Sequence, residues 1–334
     1  MTDLSQHFAA VMGVGAYRPR RSVSNEEICR RIDSSDEWIR TRSGIVSRGW
    51  ADDDETLELM ASSAASEALQ AAGIEGASLG MVLVATCSDG QPMWPLATRV
   101  AARLGTDAPA LQLNATCAGF CYGLGIARDL VRGGTADLVL VVGAERLSDL
   151  IDPSDRGTSF LFADGAGAFV VGRSEHEGVG PVVWGSDGER GEVLTLSPDW
   201  TQFRNDPGLG APSIRMQGRR VFKWVVERMP PVAEAACKAA GVSLADIDVL
   251  VPHQANHRMT EAIVRALDLP DSVVVADDII QAGNTSAASI PLGTHRLLAE
   301  GRARGGDLAL LIGYGGGLGY AAQVVTLPLD PHRS

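Results

Sequence analysis

Two windows of this chain, one in each half, read alike. The first runs Glu67-Ala-Leu-Gln-Ala-Ala-Gly73, a short linker, then Met81-Val-Leu-Val. The second runs Glu234-Ala-Ala-Cys-Lys-Ala-Ala-Gly241, a linker, then Asp248-Val-Leu-Val. Each is the end of an alanine-rich helix, a glycine that stops it, and an apolar strand. A second echo follows in the same order: Gly133-Gly134-Thr-Ala-Asp137-Leu-Val-Leu-Val-Val-Gly143 against Gly305-Gly306-Asp307-Leu-Ala-Leu-Leu-Ile-Gly313. Ordered self-similarity implies an internal duplication. The join falls near residues 172–182, giving an N-terminal half over 1–174 and a C-terminal half over 175–334. The strands are continuous apolar runs, as expected of sheets covered on both faces. Two such βα halves pack as mixed sheets with helices between and outside them, a layered α/β architecture. A site in such a fold falls where the halves meet, and the halves differ chemically. The first echo runs on into Thr86-Cys87-Ser88, the second into Pro252-His253-Gln254-Ala255-Asn256.

A formal net charge of −12 argues against general nucleic-acid binding and adhesion to anionic membrane. Five cysteines with no framework spacing fit a reducing, cytoplasmic location. The N-terminus shows no signal peptide, and no apolar run approaches the ~18 residues of a membrane span.

Local signals place further elements. Residues 11–17 read as a first strand, 18–21 as a polar turn, and Ser24-Asn25-Glu26-Glu27 as a helix start. A helix is expected over 55–72, a strand over 81–86, a helix over 95–104 and a strand over 137–145. The glycines of Ala163-Asp164-Gly165-Ala166-Gly167-Ala168 read as strand packing, since neither GxGxxG nor GK[ST] is present.

Four stretches carry chemistry. In Asn114-Ala115-Thr116-Cys117-Ala118-Gly119-Phe120, Cys117 sits where a strand turns into a helix. The helix N-terminus there lowers a thiol pKa and favours the thiolate. Ala118 and Gly119 leave room for a substrate carbonyl. His253 follows a strand end. His257, four residues on, invites a zinc reading, but no third ligand with metal spacing accompanies the pair, so no metal is expected. Asn284 sits in a turn within Gly283-Asn284-Thr285-Ser286-Ala287-Ala288-Ser289. The glycine-rich Gly313-Tyr314-Gly315-Gly316-Gly317-Leu318-Gly319 lets backbone N–H groups approach a ligand closely, as an oxyanion site requires. Trp38 lies between Arg40, Arg42 and the acidic residues before it, a setting suited to stacking on a base.

Taken together, Cys117 in Cys-Ala-Gly-Phe, His253 in Pro-His-Gln-Ala-Asn, Asn284 in Gly-Asn-Thr-Ser-Ala-Ala-Ser and the 315–317 glycines resemble ketoacyl-acyl-carrier-protein synthase III. Asp155-Arg156-Gly157-Thr158, the 162–168 run and Ser35-Asp36-Glu37-Trp38-Ile39 add to the likeness, which spans nearly the whole chain. The resemblance implies the thiolase-like duplicated five-layer α/β/α/β/α fold, usually as a homodimer. It implies that Cys117 is acylated by an acyl-coenzyme A, and that malonyl-acyl-carrier protein then loses carbon dioxide and condenses with the acyl group. That would start fatty-acid or polyketide chains. His253 and Asn284 would donate hydrogen bonds to the enolate, and the N–H groups of Cys117 and Gly316 would form the oxyanion hole. Coenzyme A would be met by Trp38 and Arg156, sandwiching its adenine, by Arg42 at the phosphates, by Asn256 along pantetheine, and by Gly218 and Phe222 in the tunnel. Arg219, Arg220, Lys223 and Arg258 would rim the mouth toward an acidic carrier protein. No cofactor is implied beyond the coenzyme A thioester as substrate.

Departures from the family pattern fall around the acyl chain. Trp94 stands where relatives often carry a Phe that reaches the partner subunit's acyl pocket, and Thr116 replaces a smaller residue before the nucleophile. Gln281-Ala282 also differ. These leave the length and branching of the starter open. An alternative in the same fold is an acyltransferase passing the acyl group to a hydroxyl or amine, and a third is a silent carrier-binding partner, against which the complete Cys–His–Asn set speaks.

Overall fold

Two five-stranded mixed sheets carry the chain, and they are built in the same way twice. The computed structural model describes residues 7–329. The first sheet runs, in spatial order, Phe8–Tyr17, Asp164–Ser174, Leu138–Arg146, Met81–Ala85, Ala110–Leu113. The second runs Val183–Ser186, Gly319–Thr326, Leu308–Gly315, Val249–Pro252, Val274–Val275. In both, the first two pairings are antiparallel and the last two parallel. The two sequence echoes thus fall on equivalent strands, Met81–Ala85 with Val249–Pro252 and Leu138–Arg146 with Leu308–Gly315.

Helices Gly119–Arg132 and Ser289–Ala299 lie between the sheets and touch strands of both. Leu57–Ala72 covers the outer face of the first sheet and Gly218–Ala239 that of the second, completing five layers. Each layer follows from patterning. Gly119–Arg132 buries Phe120, Leu124, Ala127 and Val131 along one stripe. Phe120 meets Phe169 edge to face, ring centroids 4.9 Å apart, in the core between the sheets. Leu57–Ala72 starts on Thr56, whose side chain caps Leu59 N–H, and stops at left-handed Gly73.

The glycine-rich run at 163–168 belongs to the strand Asp164–Ser174, and its glycines are seats for a helix. A Cβ on Gly167 would lie 2.8 Å from Pro291, and one on neighbouring Gly143 would lie 2.3 Å from the Ala287 carbonyl. The helix Ser289–Ala299 and the turn before it therefore press directly onto the first sheet. The first strand begins earlier than its apolar pattern suggests, at Phe8, and Arg21 opens a short strand, Arg21–Ser24, rather than closing a turn.

Candidate active site

Cys117, the candidate nucleophile, stands on a strained elbow. After Ala110–Leu113, the Asn114 side-chain oxygen accepts the Thr116 N–H at 3.1 Å. Thr116 is left-handed, at φ 46°, and begins the 3₁₀ turn Thr116–Ala118 that leads into Gly119–Arg132. A β-branched residue there carries about 1–2 kcal/mol of strain. Thr116 Oγ1 donates to Gly316 O at 2.8 Å, tying the elbow to the glycine loop of the other half. Gly315 is packed against the nucleophile: a Cβ there would lie 2.6 Å from Cys117 Cβ and 2.9 Å from Sγ.

Cys117 is not the ready thiolate expected from its place before a helix. Burial pushes the thiol up to about 11, opposed by the Ser286 hydroxyl and the backbone N–H groups of Cys117 and Gly316 at the sulfur. Gly315 of the C-terminal half packs against the sulfur and Glu145 of its own half adds to the upward push, so the local helix argument is overridden by tertiary packing.

Asn284 stands on a second turn of the same design. Its Oδ1 accepts the Ser286 N–H at 2.9 Å, and Ser286 is left-handed at φ 48°. A 3₁₀ turn, Ser286–Ala288, again leads into a buried helix. The Asn284 backbone is pinned on both sides, its N–H donating to Leu161 O and its carbonyl accepting from Ala163 N–H. With Oδ1 occupied, the side chain has its NH₂ left to offer.

His253 follows Val249–Pro252 and is buried. Its Nδ1 lies 2.7 Å from Ser289 Oγ, which also accepts the Gln254 N–H at 3.2 Å. The serine proton goes to Nδ1, so the ring carries its own proton on Nε2. Tyr314 packs edge to face on the ring at 5.2 Å and donates its hydroxyl to the His253 carbonyl at 3.1 Å. Burial lowers the His253 pKa to about 3, which keeps the ring neutral. Sequence reading did not single out Ser289 or Tyr314, nor the buried Glu145 behind Ser286.

Cys117, His253 and Asn284 line one cavity of about 560 Å³. Its walls and mouth include Trp38, Arg42, Arg156, Gly218, Phe222, Asn256, Arg219 and Arg258. Trp38 packs edge to face on Phe160, with the Arg156 guanidinium 4.3 Å from its ring centre. That gap is closed to a base, which needs roughly 7 Å between the flanking groups, twice the ~3.5 Å contact distance. Asn256 caps the helix His257–Leu267 through Arg258 N–H and donates to Arg42 O at 3.1 Å, so its first duty is structural. Arg220 pairs with Glu192 at 2.9 Å and Lys223 with Glu227 at 3.8 Å, which moderates the basic rim. Neither these two nor Trp94 lines the cavity; Trp94 is 61% exposed, with Arg99 over its ring.

Family models for 3-oxoacyl-[acyl-carrier-protein] synthase III match residues 111–188, and for its C-terminal region residues 237–327. The chain is 51% identical over 322 residues to beta-ketoacyl-[acyl-carrier-protein] synthase III of Streptomyces glaucescens, covering 96% of this chain and 97% of that one. It is 49% identical over 319 residues to the mycobacterial synthase III of Mycobacterium avium, covering 95% of each. Among solved structures, the priming beta-ketosynthase of the R1128 polyketide pathway superposes with a TM-score of 0.96 at 47% identity, covering 98% of both chains. The synthase III of Aquifex aeolicus gives 0.88 at 37% identity, covering 95% of this chain and 99% of that one. With relatives this similar over nearly its whole length, the chain belongs to the beta-ketoacyl-acyl-carrier-protein synthase III family of thiolase-fold condensing acyltransferases.

Proposed function

We propose that Cys117 takes the acyl group of an acyl-coenzyme A and that the acyl-enzyme then condenses with malonyl-acyl-carrier protein. The observation that carries this reading is the convergence of a buried thiol with two neutral nitrogen donors on one cavity. Decarboxylation of a malonyl thioester develops negative charge on the thioester oxygen. Nε2–H of a neutral His253 and the NH₂ of Asn284 stabilise that charge without offering a labile proton to the carbanion. An imidazolium would quench it, and the low pKa of His253 keeps that form away at neutral pH.

Cys117 N–H and Gly316 N–H serve as the oxyanion hole. Both lie at the sulfur, and the Thr116 hydroxyl on Gly316 O fixes the loop that carries the second. Trp38, Arg42 and Arg156 hold the nucleotide end of coenzyme A once Arg156 moves off the Trp38 ring to admit the adenine. Gly218, Phe222 and Asn256 border pantetheine. Arg219 and Arg258, at the mouth, and Arg220 and Lys223, beside it, meet the carrier protein. The enzyme works as a cytoplasmic homodimer in which Trp94 closes the acyl pocket of the partner subunit; its exposure in the single chain supports that reading.

Intact mass after exposure to a panel of acyl-coenzyme A thioesters tests the assignment. A mass gain absent from Cys117→Ala, followed by ketoacyl-carrier protein on adding malonyl-carrier protein, is expected. Release of the acyl group only onto a hydroxyl or amine would overturn condensation in favour of acyl transfer.

A further inference from the structure

The two left-handed residues of the site are tied across the fold in the same way. Thr116, at φ 46°, donates its hydroxyl to Gly316 O at 2.8 Å, just past the strand Leu308–Gly315 of the second sheet. Ser286, at φ 48°, donates its hydroxyl to Glu145 Oε1 at 3.0 Å, near the end of the strand Leu138–Arg146 of the first. The echo of Gly143 in Gly313 puts Glu145 in register with Gly315. Gly315 clears space for the Cys117 sulfur, whereas Glu145 reaches the matching turn with a side chain.

Glu145 is fully buried, and burial pushes its carboxyl up. Among the described residues no lysine or arginine pairs with it; neighbouring Arg146 pairs with Asp149. A packing role needs no ionisable group there. Its other oxygen is fixed from the loop after Met81–Ala85. Ser88 Oγ donates to Oε2 at 2.6 Å, the Cys87 N–H at 3.1 Å and Thr86 Oγ1 at 3.2 Å. Cys87 Sγ stands 3.4 Å from Oε1 and 4.0 Å from Ser286 Oγ. The carboxyl is thereby a rigid acceptor for Ser286 and, when ionised, a stronger one than a carbonyl.

Asn284 depends on that bond. Its backbone is pinned by Leu161 and Ala163, so what remains free is the plane of its amide. The Ser286 N–H, 2.9 Å from Oδ1, sets that plane and leaves the NH₂ for the cavity. The N–H keeps its direction only while Ser286 stays left-handed, a conformation that a residue with a Cβ holds only under constraint.

We infer that Glu145 is a positioning residue for condensation: by holding the Ser286 hydroxyl it fixes the turn that aims the Asn284 NH₂ into the cavity. The inference rests on Asn284 donating to the enolate oxygen, as proposed above. Acylation of Cys117 does not call on Asn284, so the two half-reactions should respond differently.

The test follows acyl-enzyme formation and, separately, ketoacyl-carrier protein formed from acyl-enzyme. Wild type, Ser286→Ala, Glu145→Gln and Asn284→Ala are compared, with the first two variants repeated in the Asn284→Ala background. In Glu145→Gln the Cys87 N–H, which can only donate, claims the amide oxygen, and the NH₂ then faces a Ser286 hydroxyl that can no longer donate. Both variants should condense about tenfold more slowly at saturating malonyl-carrier protein. KM for that substrate and the rate of acylation should stay at wild-type values. In the Asn284→Ala background neither should slow condensation further, since the group they aim is gone. A purely structural role would slow both half-reactions and would add to Asn284→Ala; either result overturns the inference. So does wild-type condensation in either variant. Should Glu145→Gln not fold, Ser286→Ala decides alone, since it leaves Glu145 its Ser88, Cys87 and Thr86 donors. Condensation at the wild-type rate in Asn284→Ala, or no acyl-enzyme in wild type, would instead remove the proposed roles of Asn284 or Cys117, and this inference with them.

Discussion

Asn114 and Asn284 are one residue in two copies of the same turn. Each side-chain oxygen accepts the N–H two residues on, at 3.1 and 2.9 Å, and that next-but-one residue is left-handed in both, Thr116 and Ser286. Each turn leaves a parallel sheet's side of the fold and enters one of the two central helices. The copies have diverged in what they offer. The first holds Cys117 where the second holds Ala287, and Asn114 is exposed where Asn284 is buried in the cavity wall. The active site is assembled from both products of this duplication, set face to face.

Gly315 sets the position of Cys117. In Gly315→Ala the added methyl would overlap Cys117, whose Cβ it would meet at 2.6 Å. Acylation should fall by on the order of 10²-fold through misplacement of the sulfur. Single-turnover release of coenzyme A measures this, with circular dichroism confirming that the fold persists.

On the proposed role of His253, Ser289 is expected to act on the second half-reaction only. Ser289→Ala releases His253 Nδ1 and strands the Gln254 N–H, at about 1–3 kcal/mol of stability. With the tautomer no longer fixed, condensation should drop about tenfold while acyl-enzyme still forms at the wild-type rate. Intact mass and ketoacyl product, followed separately, distinguish the two steps; equal losses in both would refute the assignment.

His253 makes the fold acid-sensitive. Its pKa falls from 6.5 to about 3 on folding. Between those values the unfolded chain binds a proton there that the folded chain does not. The contribution is intact above pH 6.5 and is lost as pH falls, by at most about 1.4 kcal/mol per pH unit. Urea midpoints of wild type and His253→Asn across this range should converge toward acid, the variant showing the flatter profile.

If Trp38 stacks on the adenine as proposed, it discriminates between the two substrates. Trp38→Ala removes a stacking surface worth about 1–3 kcal/mol, so affinity for coenzyme A should weaken about tenfold. The carrier-bound malonyl group, which has no adenine, should keep its KM. Isothermal titration with coenzyme A and steady-state kinetics in malonyl-carrier protein report the two separately.

What the sequence made legible was whatever repeats in hydrophobicity. The Val-Leu-Val strands, the Ala-Ala-Gly helix ends and the long apolar strands at 138–146 and 308–315 announced the duplication and the layers. The paired turns did not show, because Asn-Ala-Thr and Asn-Thr-Ser share a backbone conformation rather than a pattern. Glu145 reads as the polar end of a strand, and Ser286 and Ser289 as small residues for packing, since the partners of the two serines lie 141 and 36 residues away in sequence. The protonation of Cys117 escapes a local reading for the same reason: its place before a helix is local, while its burial comes from tertiary packing.

That burial carries a consequence for the life of the enzyme between turnovers. Oxidants and adventitious electrophiles attack thiolates far faster than thiols. A cysteine held at about 11 spends its idle time protonated, shielded from peroxide and from stray alkylation.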